Sequence, residues 1–266
     1  MDLKLKGKVA VVTGGSLGIG RAVTEALAAE GVRVAIVARS QGPLEQVARD
    51  ISAASGVEIL PIAADVSSTE QVNAMMDKAA AHFGRIDILV NGAAHPGGLV
   101  RSEIENADPE GLLQDINIKV VGYMRCAKAA AAHMKAHGHG HGRIINIGGL
   151  TGRGSKQLSG MRNVAICHLT KTLSDQLGPA GITVNVIHPG VVETPHIHEL
   201  YAKEAKLQNL TPQQVEANYA KATPIRRVLQ PNEIADVVLF LASERAGAIT
   251  GESIAVDGGI TRGIFI

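Results

Sequence analysis

The sequence predicts a doubly wound parallel α/β fold: one seven-stranded sheet covered by helices on both faces. Three observations predict it. Seven short β-branched runs recur along the 266 residues. Longer alanine-rich segments with helical periodicity separate them, and no Pro- or Ser-rich linker or internal repeat divides the chain. Nearly continuous apolar strands alternating with helices are buried on both faces, and right-handed crossovers then force double winding.

The runs 9–12, 32–37, 58–63, 86–90, 143–147, 182–187 and 252–256 read as strands. The segments 18–30, 43–54, 69–83, 109–136, 158–177 and 231–243 read as helices. The whole of 1–266 is expected to form one domain. Two stretches break the rhythm. His137 to Gly142 alternates histidine with glycine between a helix and a strand, and 194–223 is a long insertion carrying Leu200, Tyr201, Leu207, Leu210 and Tyr219. Ligands of open α/β sheets lie beyond the carboxyl ends of the strands. The insertion leaves from that end, so it is the expected lid over a substrate.

Composition excludes several classes. Lys and Arg number 26 against 25 for Asp and Glu, so no field draws nucleic acid or an acidic membrane. Three Tyr, three Phe and no Trp leave little to stack on bases. The start, MDLKLKGK, leads straight into a strand without the apolar stretch of a signal peptide, and no run is long enough to span a bilayer. The expectation is a soluble cytoplasmic protein. Cys126 and Cys167 read as small buried hydrophobes in helices, in preference to a disulfide or a nucleophile. The histidine run reads as a solvated loop in preference to a metal site, because native ligands sit on rigid elements with ordered support. No metal is expected.

The first strand ends in Thr13-Gly14-Gly15-Ser16-Leu17-Gly18-Ile19-Gly20. Glycines let the backbone turn tightly and approach a pyrophosphate with no Cβ in the way. The helix that follows points free amides and its positive dipole end at that phosphate. Strand, glycine turn and helix within one strand–helix–strand unit make a Rossmann-type dinucleotide seat. The second strand ends Val37-Ala38-Arg39-Ser40, with no acid to hold the 2′-hydroxyl of NAD. Arg39 suits a 2′-phosphate instead, so NADP is favoured over NAD.

The wider pattern resembles the short-chain dehydrogenase/reductase family over nearly the whole chain. The turn Thr13–Gly20 fits its cofactor loop, with Gly14, Ser16, Leu17, Gly18, Ile19 and Gly20 as the implied contacts. Asp65-Val66 matches the pair that holds adenine, and Asn91-Gly92-Ala93-Ala94 resembles the motif after the fourth strand. Val184 to Gly190 and Thr194 match the segment that cradles nicotinamide, implying contacts from Pro189, Gly190, Val192 and Thr194. Pro224-Ile225-Arg226-Arg227, Pro231 to Ala235 and Asp257-Gly258-Gly259 complete the signature. The resemblance implies hydride transfer between nicotinamide and a carbonyl or alcohol.

That chemistry rests on a Ser, a Tyr and a Lys, with a helix Asn beside them. The Lys ammonium lowers the phenol pKa so that Tyr can exchange a proton with the substrate oxygen. Anchored on His168-Leu169-Thr170-Lys171, the Tyr position is Ser159, the Lys position Asn163 and the Ser position Gly149; only Asn117 is retained. A serine hydroxyl is a far weaker acid than a phenol, and Asn163 brings no charge. Candidate substitutes are Lys156, Arg162, Thr151 and above all His188, which titrates in a useful range. His196 and His198 stand at the lid entrance. Three readings follow: an NADP-linked oxidoreductase of a small molecule with a rearranged acid group, an NADP-binding protein with little or no turnover, and a lyase or isomerase on the same pocket. The resemblance also implies a homotetramer built on helices 109–136 and 158–177 and the last strand, with the tail Ile264-Phe265-Ile266 against a neighbour.

Overall fold

In the computed structural model, residues 2–99, 103–137, 141–154 and 157–263 are described. Lys156, His139 and the tail 264–266, all singled out above, lie outside them. Seven parallel strands form one sheet in the order β3-β2-β1-β4-β5-β6-β7. They are β1 (Val9–Thr13), β2 (Arg33–Ala38), β3 (Ile59–Ala63), β4 (Ile88–Asn91), β5 (Arg143–Ile147), β6 (Thr183–Pro189) and β7 (Ser253–Val256). The expected strands all form, each boundary within two residues.

Nine α-helices accompany them among the described residues: α1 (Gly18–Ala29), α2 (Gln41–Ser55), α3 (Thr69–Phe83), α4 (Pro109–Asp115), α5 (Gly122–Ala136), α6 (Gly160–Leu177), α7 (Pro195–Gln208), α8 (Pro212–Ala222) and α9 (Pro231–Ala242). The expected helix 109–136 is one rod with a flaw. Between α4 and α5 the residues Ile116–Val121 widen into a π-type turn, a local feature that recurs at functional sites.

Each face of the sheet has its own core. Strand β1 is buried at every position, as a central parallel strand must be. Ala10, Val12, Val34 and Ile36 pack with Val23 and Leu27 of α1, Leu44 of α2 and Ile234 and Val238 of α9. On the other face Val9, Val11, Ala35 and Leu89 meet Met75 and Met76 of α3 and Cys126 and Ala130 of α5. Cys126 is therefore a small core residue, as expected.

The insertion 194–223 holds two helices that the periodicity does not announce. Proline opens both, at Pro195 and Pro212, where a missing N–H costs nothing. Thr211 and Gln214 close a reciprocal capping box on α8. Ile197, Tyr201, Ala205 and Val215 bury a small core of their own between α7 and α8.

At the amino edge of the sheet, Asp87 ties strands together. Its Oδ2 accepts the Val9 N–H at 2.9 Å and its Oδ1 accepts the Arg85 Nε–H at 3.0 Å. The carboxylate is buried, so its loss strands a buried donor. Asp87→Ala is expected to cost about 2 kcal/mol, read as a lower urea midpoint with an unchanged slope.

Candidate functional site

The strand order reverses between β1 and β4, and a cavity of about 480 Å³ opens there beyond the carboxyl ends of the strands. Two turns build its floor by close approach. The Thr13 hydroxyl accepts the Gly92 and Ala93 N–H groups at 3.1 and 3.2 Å. Gly14 holds φ +72°, and a Cβ on it would lie 2.9 Å from the Gly92 backbone. At Gly20 a Cβ would lie 2.1 Å from the Gly14 carbonyl oxygen, so helix α1 can start against the turn only with glycine there. Leu17 stands at the N-cap of α1 and offers no side-chain hydrogen bond to the first-turn amides. Those donors face the cavity.

Gly14, Ser16 to Gly20, Arg39, Asp65, Val66, Gly92, Ala93 and Thr194 all line it. Thr194 reaches over the turn: a Cβ on Gly18 would touch its Cγ2 at 3.3 Å. Arg39 is exposed at the rim. Burial pushes the Asp65 carboxyl up, but hydrogen bonds from the Ser67 N–H and hydroxyl, with the charges of Arg39 and Arg125, outweigh it and leave the carboxyl below its ordinary value.

Other expected contacts stand behind the wall. The Asn91 Nδ2 donates to Asn146 Oδ1 at 2.9 Å, and Asn146 passes the chain on to the Thr170 hydroxyl at 2.9 Å. Gly190 is required by packing, since a Cβ there would lie 2.7 Å from the Asp257 Cα. Val192 is buried and pairs its backbone with Leu229; Pro189 ends β6. Sequence reasoning missed Ile118, Ile147, His95 and Pro96, which also line the cavity. The first two carry no chemical signal. His196 lines it as well, whereas His198 pairs with Glu193 at 2.8 Å.

The four positions expected to carry chemistry are dispersed. Asn117 lies in the π-type turn and its Oδ1 accepts from Arg125 Nη2 at 2.9 Å. The Ser159 side chain is buried under the loop after β4, so close that a Cβ on Gly98 would meet its Cβ at 2.8 Å. Asn163 is buried; its Nδ2 donates to the Thr151 hydroxyl at 2.7 Å, and its Oδ1 has no partner. Gly149 accommodates that amide, because a Cβ would lie 2.7 Å from Asn163 Nδ2.

His188 is fully buried and does not line the cavity. Its Nδ1 lies 2.9 Å from the Gly149 carbonyl, and its Nε2 lies 3.0 Å from Ser253 Oγ and 3.3 Å from Cys167 Sγ. Burial lowers its pKa, the Gly149 carbonyl opposes, and the charges of Arg153 and Lys119 add to the lowering. It serves as a neutral strut under Gly149. None of the three tyrosines lines the cavity. Tyr123 donates to the Ile147 carbonyl at 3.0 Å and burial raises its pKa; Tyr219 donates to Glu204 at 2.7 Å. Among the described residues no His, Cys, Asp and Glu cluster could hold a metal, and no helix is long and apolar enough to cross a membrane.

This geometry has counterparts among known proteins. A family profile described as Enoyl-(Acyl carrier protein) reductase matches residues 14–261. The short-chain reductase protein NovJ of Streptomyces niveus is 38% identical over 94% of this chain and 93% of its own. The NADPH-dependent reductase BacG of Bacillus subtilis is 33% identical over 97% and 99%. Among solved structures, L-sorbose reductase from Gluconobacter frateurii, complexed with NADPH and L-sorbose, superposes with a TM-score of 0.93 at 32% identity, covering 99% of this chain and all of that one. The chain belongs to the short-chain dehydrogenase/reductase family.

The turn itself is open to test. Gly20→Ala must displace backbone, so it is expected to lower stability by about 1–3 kcal/mol. Gly42→Ala on α2, where a Cβ meets nothing within 4 Å, is the control, expected to gain about 0.5–1 kcal/mol. Urea melts of the two variants check the contrast.

Proposed function

We propose that this chain is an NADP(H)-dependent oxidoreductase that interconverts a carbonyl and an alcohol on a small molecule, with a proton-transfer apparatus unlike the family's Ser, Tyr and Lys. The observation that carries the reading is the cavity at the strand reversal, floored by a glycine turn too close-packed for any side chain at Gly20. It fits a dinucleotide. The uncapped amides of α1 suit the pyrophosphate, Asp65 and Val66 flank the space for adenine, and Thr194 stands where nicotinamide would be held. Arg39 at the end of β2, with no acid beside it, suits a 2′-phosphate. Similar proteins include NADPH-dependent reductases and an NADPH complex, which supports the choice. Bound there, NADPH would supply a hydride; the chain's residues seat it and shape the space for the acceptor. Helices α7 and α8 form the lid, since Pro195 and His196 line the cavity at their root.

The departure at the chemical positions supports a second reading, a cofactor-binding protein with little turnover. Ser159 is sealed beneath Gly98, and Asn163 is spent on Thr151. A panel of ketones and aldehydes separates the two: NADPH oxidation with any of them favours the enzyme, and NADPH binding with silence across the panel favours the binder. Arg39→Ala is expected to weaken NADPH binding about 10-fold or more, the worth of a charge-assisted contact, and to leave NADH binding unchanged. Fluorescence titration with both cofactors checks it; equal loss for both would refute the 2′-phosphate assignment.

We propose a cytoplasmic homotetramer. Leu113 and Met124 beside the π-type turn, and Met161 and Val164 on α6, expose apolar side chains on the helices named for the interface. Light scattering is expected to give four times the 27.7 kDa chain mass; a monomer would refute it.

A further inference from the structure

A proton donor must reach the cavity, and among the described residues six polar side chains line it: Ser16, Arg39, Asp65, His95, Thr194 and His196. Chemistry sorts them. A guanidinium does not give up its proton in a protein. Despite burial, the hydrogen bonds from Ser67 hold the Asp65 carboxyl below its ordinary value, so it has no proton to give. The aliphatic hydroxyls of Ser16 and Thr194 are far weaker acids than a phenol. Two imidazoles remain, the side chain best suited to proton transfer near neutrality.

Both imidazoles stand on one side of the cavity. Arg39 and Asp65 follow β2 and β3, which lie on one side of β1 in the sheet. His95 follows β4, and His196 lies in the first turn of α7 after β6, two residues past Thr194. Strands β4 and β6 lie on the other side of β1. The histidines therefore share the side assigned above to nicotinamide, away from the side assigned to adenine.

His196 is the better placed of the two. Its Nδ1 lies 3.9 Å from the Glu199 carboxylate one turn on, and the two form an ion pair when the ring is protonated. Its other edge lies over the turn after β4, where a Cβ on Gly97 would come within 3.4 Å of Nε2. Gly97 carries no side chain, so that edge stays open. Among the described residues Nε2 has no hydrogen-bond partner. The side chain is 42% exposed, so water can return a proton to it. His95 turns its Nδ1 back to the Pro96 carbonyl at 3.2 Å, and Arg162 Nη1 donates to its backbone carbonyl at 3.1 Å.

We propose that His196 is the proton donor of this site, with Nε2 facing the oxygen of a ketone or aldehyde held between the loop after β4 and the root of α7. This assignment rests on the reductase reading above. NADPH would supply the hydride. As the carbonyl carbon gains it, the C=O π pair moves onto oxygen and forms an O–H bond with the proton that leaves Nε2. Nδ1 keeps its own proton on the Glu199 side. The neutral ring regains a proton from water, so carbonyl, hydride and proton sum to the alcohol.

The test uses the full-length protein and begins without turnover. Diethyl pyrocarbonate modifies exposed imidazoles, and peptide mass spectrometry reads each one. NADP is expected to slow the modification of His196 and to leave that of His82, on α3 and paired with Glu58, unchanged. A His196 that NADP does not shield overturns the proposal. In the second arm, His196→Ala is expected to lower kcat for carbonyl reduction on the order of 100-fold, and added imidazole to restore turnover in a saturable way. A loss that imidazole does not restore overturns the proposal. Glutamine keeps a hydrogen-bond donor but gives up no proton, so full activity in His196→Gln overturns it too. A larger loss in His95→Ala than in His196→Ala does the same. Wild type that binds NADPH but reduces no carbonyl defeats the reductase reading and the proposal with it. Wild type that turns over only as fast as His196→Gln defeats the proposal alone.

Discussion

The cavity depends on one contact, the backbone approach of the turn after β1 to the turn after β4. Gly14 and Gly92 meet where a single Cβ would hold them apart, and the Thr13 hydroxyl binds both N–H groups of the second turn. Parallel strands diverge at this point because crossovers leave to opposite faces. Without Gly14 and Gly92 the turns could not close over the gap, and without Gly20 α1 could not begin against Gly14. Strand pairing, the start of α1 and the amides facing the cavity are thus one geometric solution.

A second constraint acts on the far wall. The loop after β4 is pinned by charge, through Asp115 to the Leu99 N–H and Arg162 to the His95 carbonyl. Polar backbone buried under such a loop needs partners. The pair supplies them, but it brings ions out of water, a costly means where neutral groups would serve. The same helix turn that carries Asp115 carries Lys119, whose Nζ donates to the Gly148 carbonyl.

The strand and helix rhythm was legible because burial on both faces writes continuous apolar runs. The glycine turn was legible because its spacing answers a steric demand. Asn117 shows where reading stopped. Periodicity cannot register the π-type turn that carries it, in which Asn117 accepts from Arg125 and Lys119 donates to the Gly148 carbonyl. Arg162 and Asp115 lie 47 positions apart, so no local pattern announces their pairing. The insertion 194–223 read as irregular because α7 and α8 bury few residues each; their prolines and the Thr211–Gln214 box were the local signs of helix available.

The packing of Gly149, Ser159 and Asn163 is coupled. The Asn163 amide occupies the space that a side chain on residue 149 would need, so a serine there conflicts with asparagine at 163. The Gly149 carbonyl is held by buried His188, which fixes the turn in place. Ser159 is small because Gly98 lies on it, and Gly98 lies there because Asp115 and Arg162 pin the loop. A phenol at 159 would have to lift that loop and strip the ion pair of its backbone partners. Each residue is thus the consequence of its neighbour. Gly149, Ser159 and Asn163 are packed as one unit with the pinned loop, and a larger side chain at 149 or 159 alone would meet a steric clash.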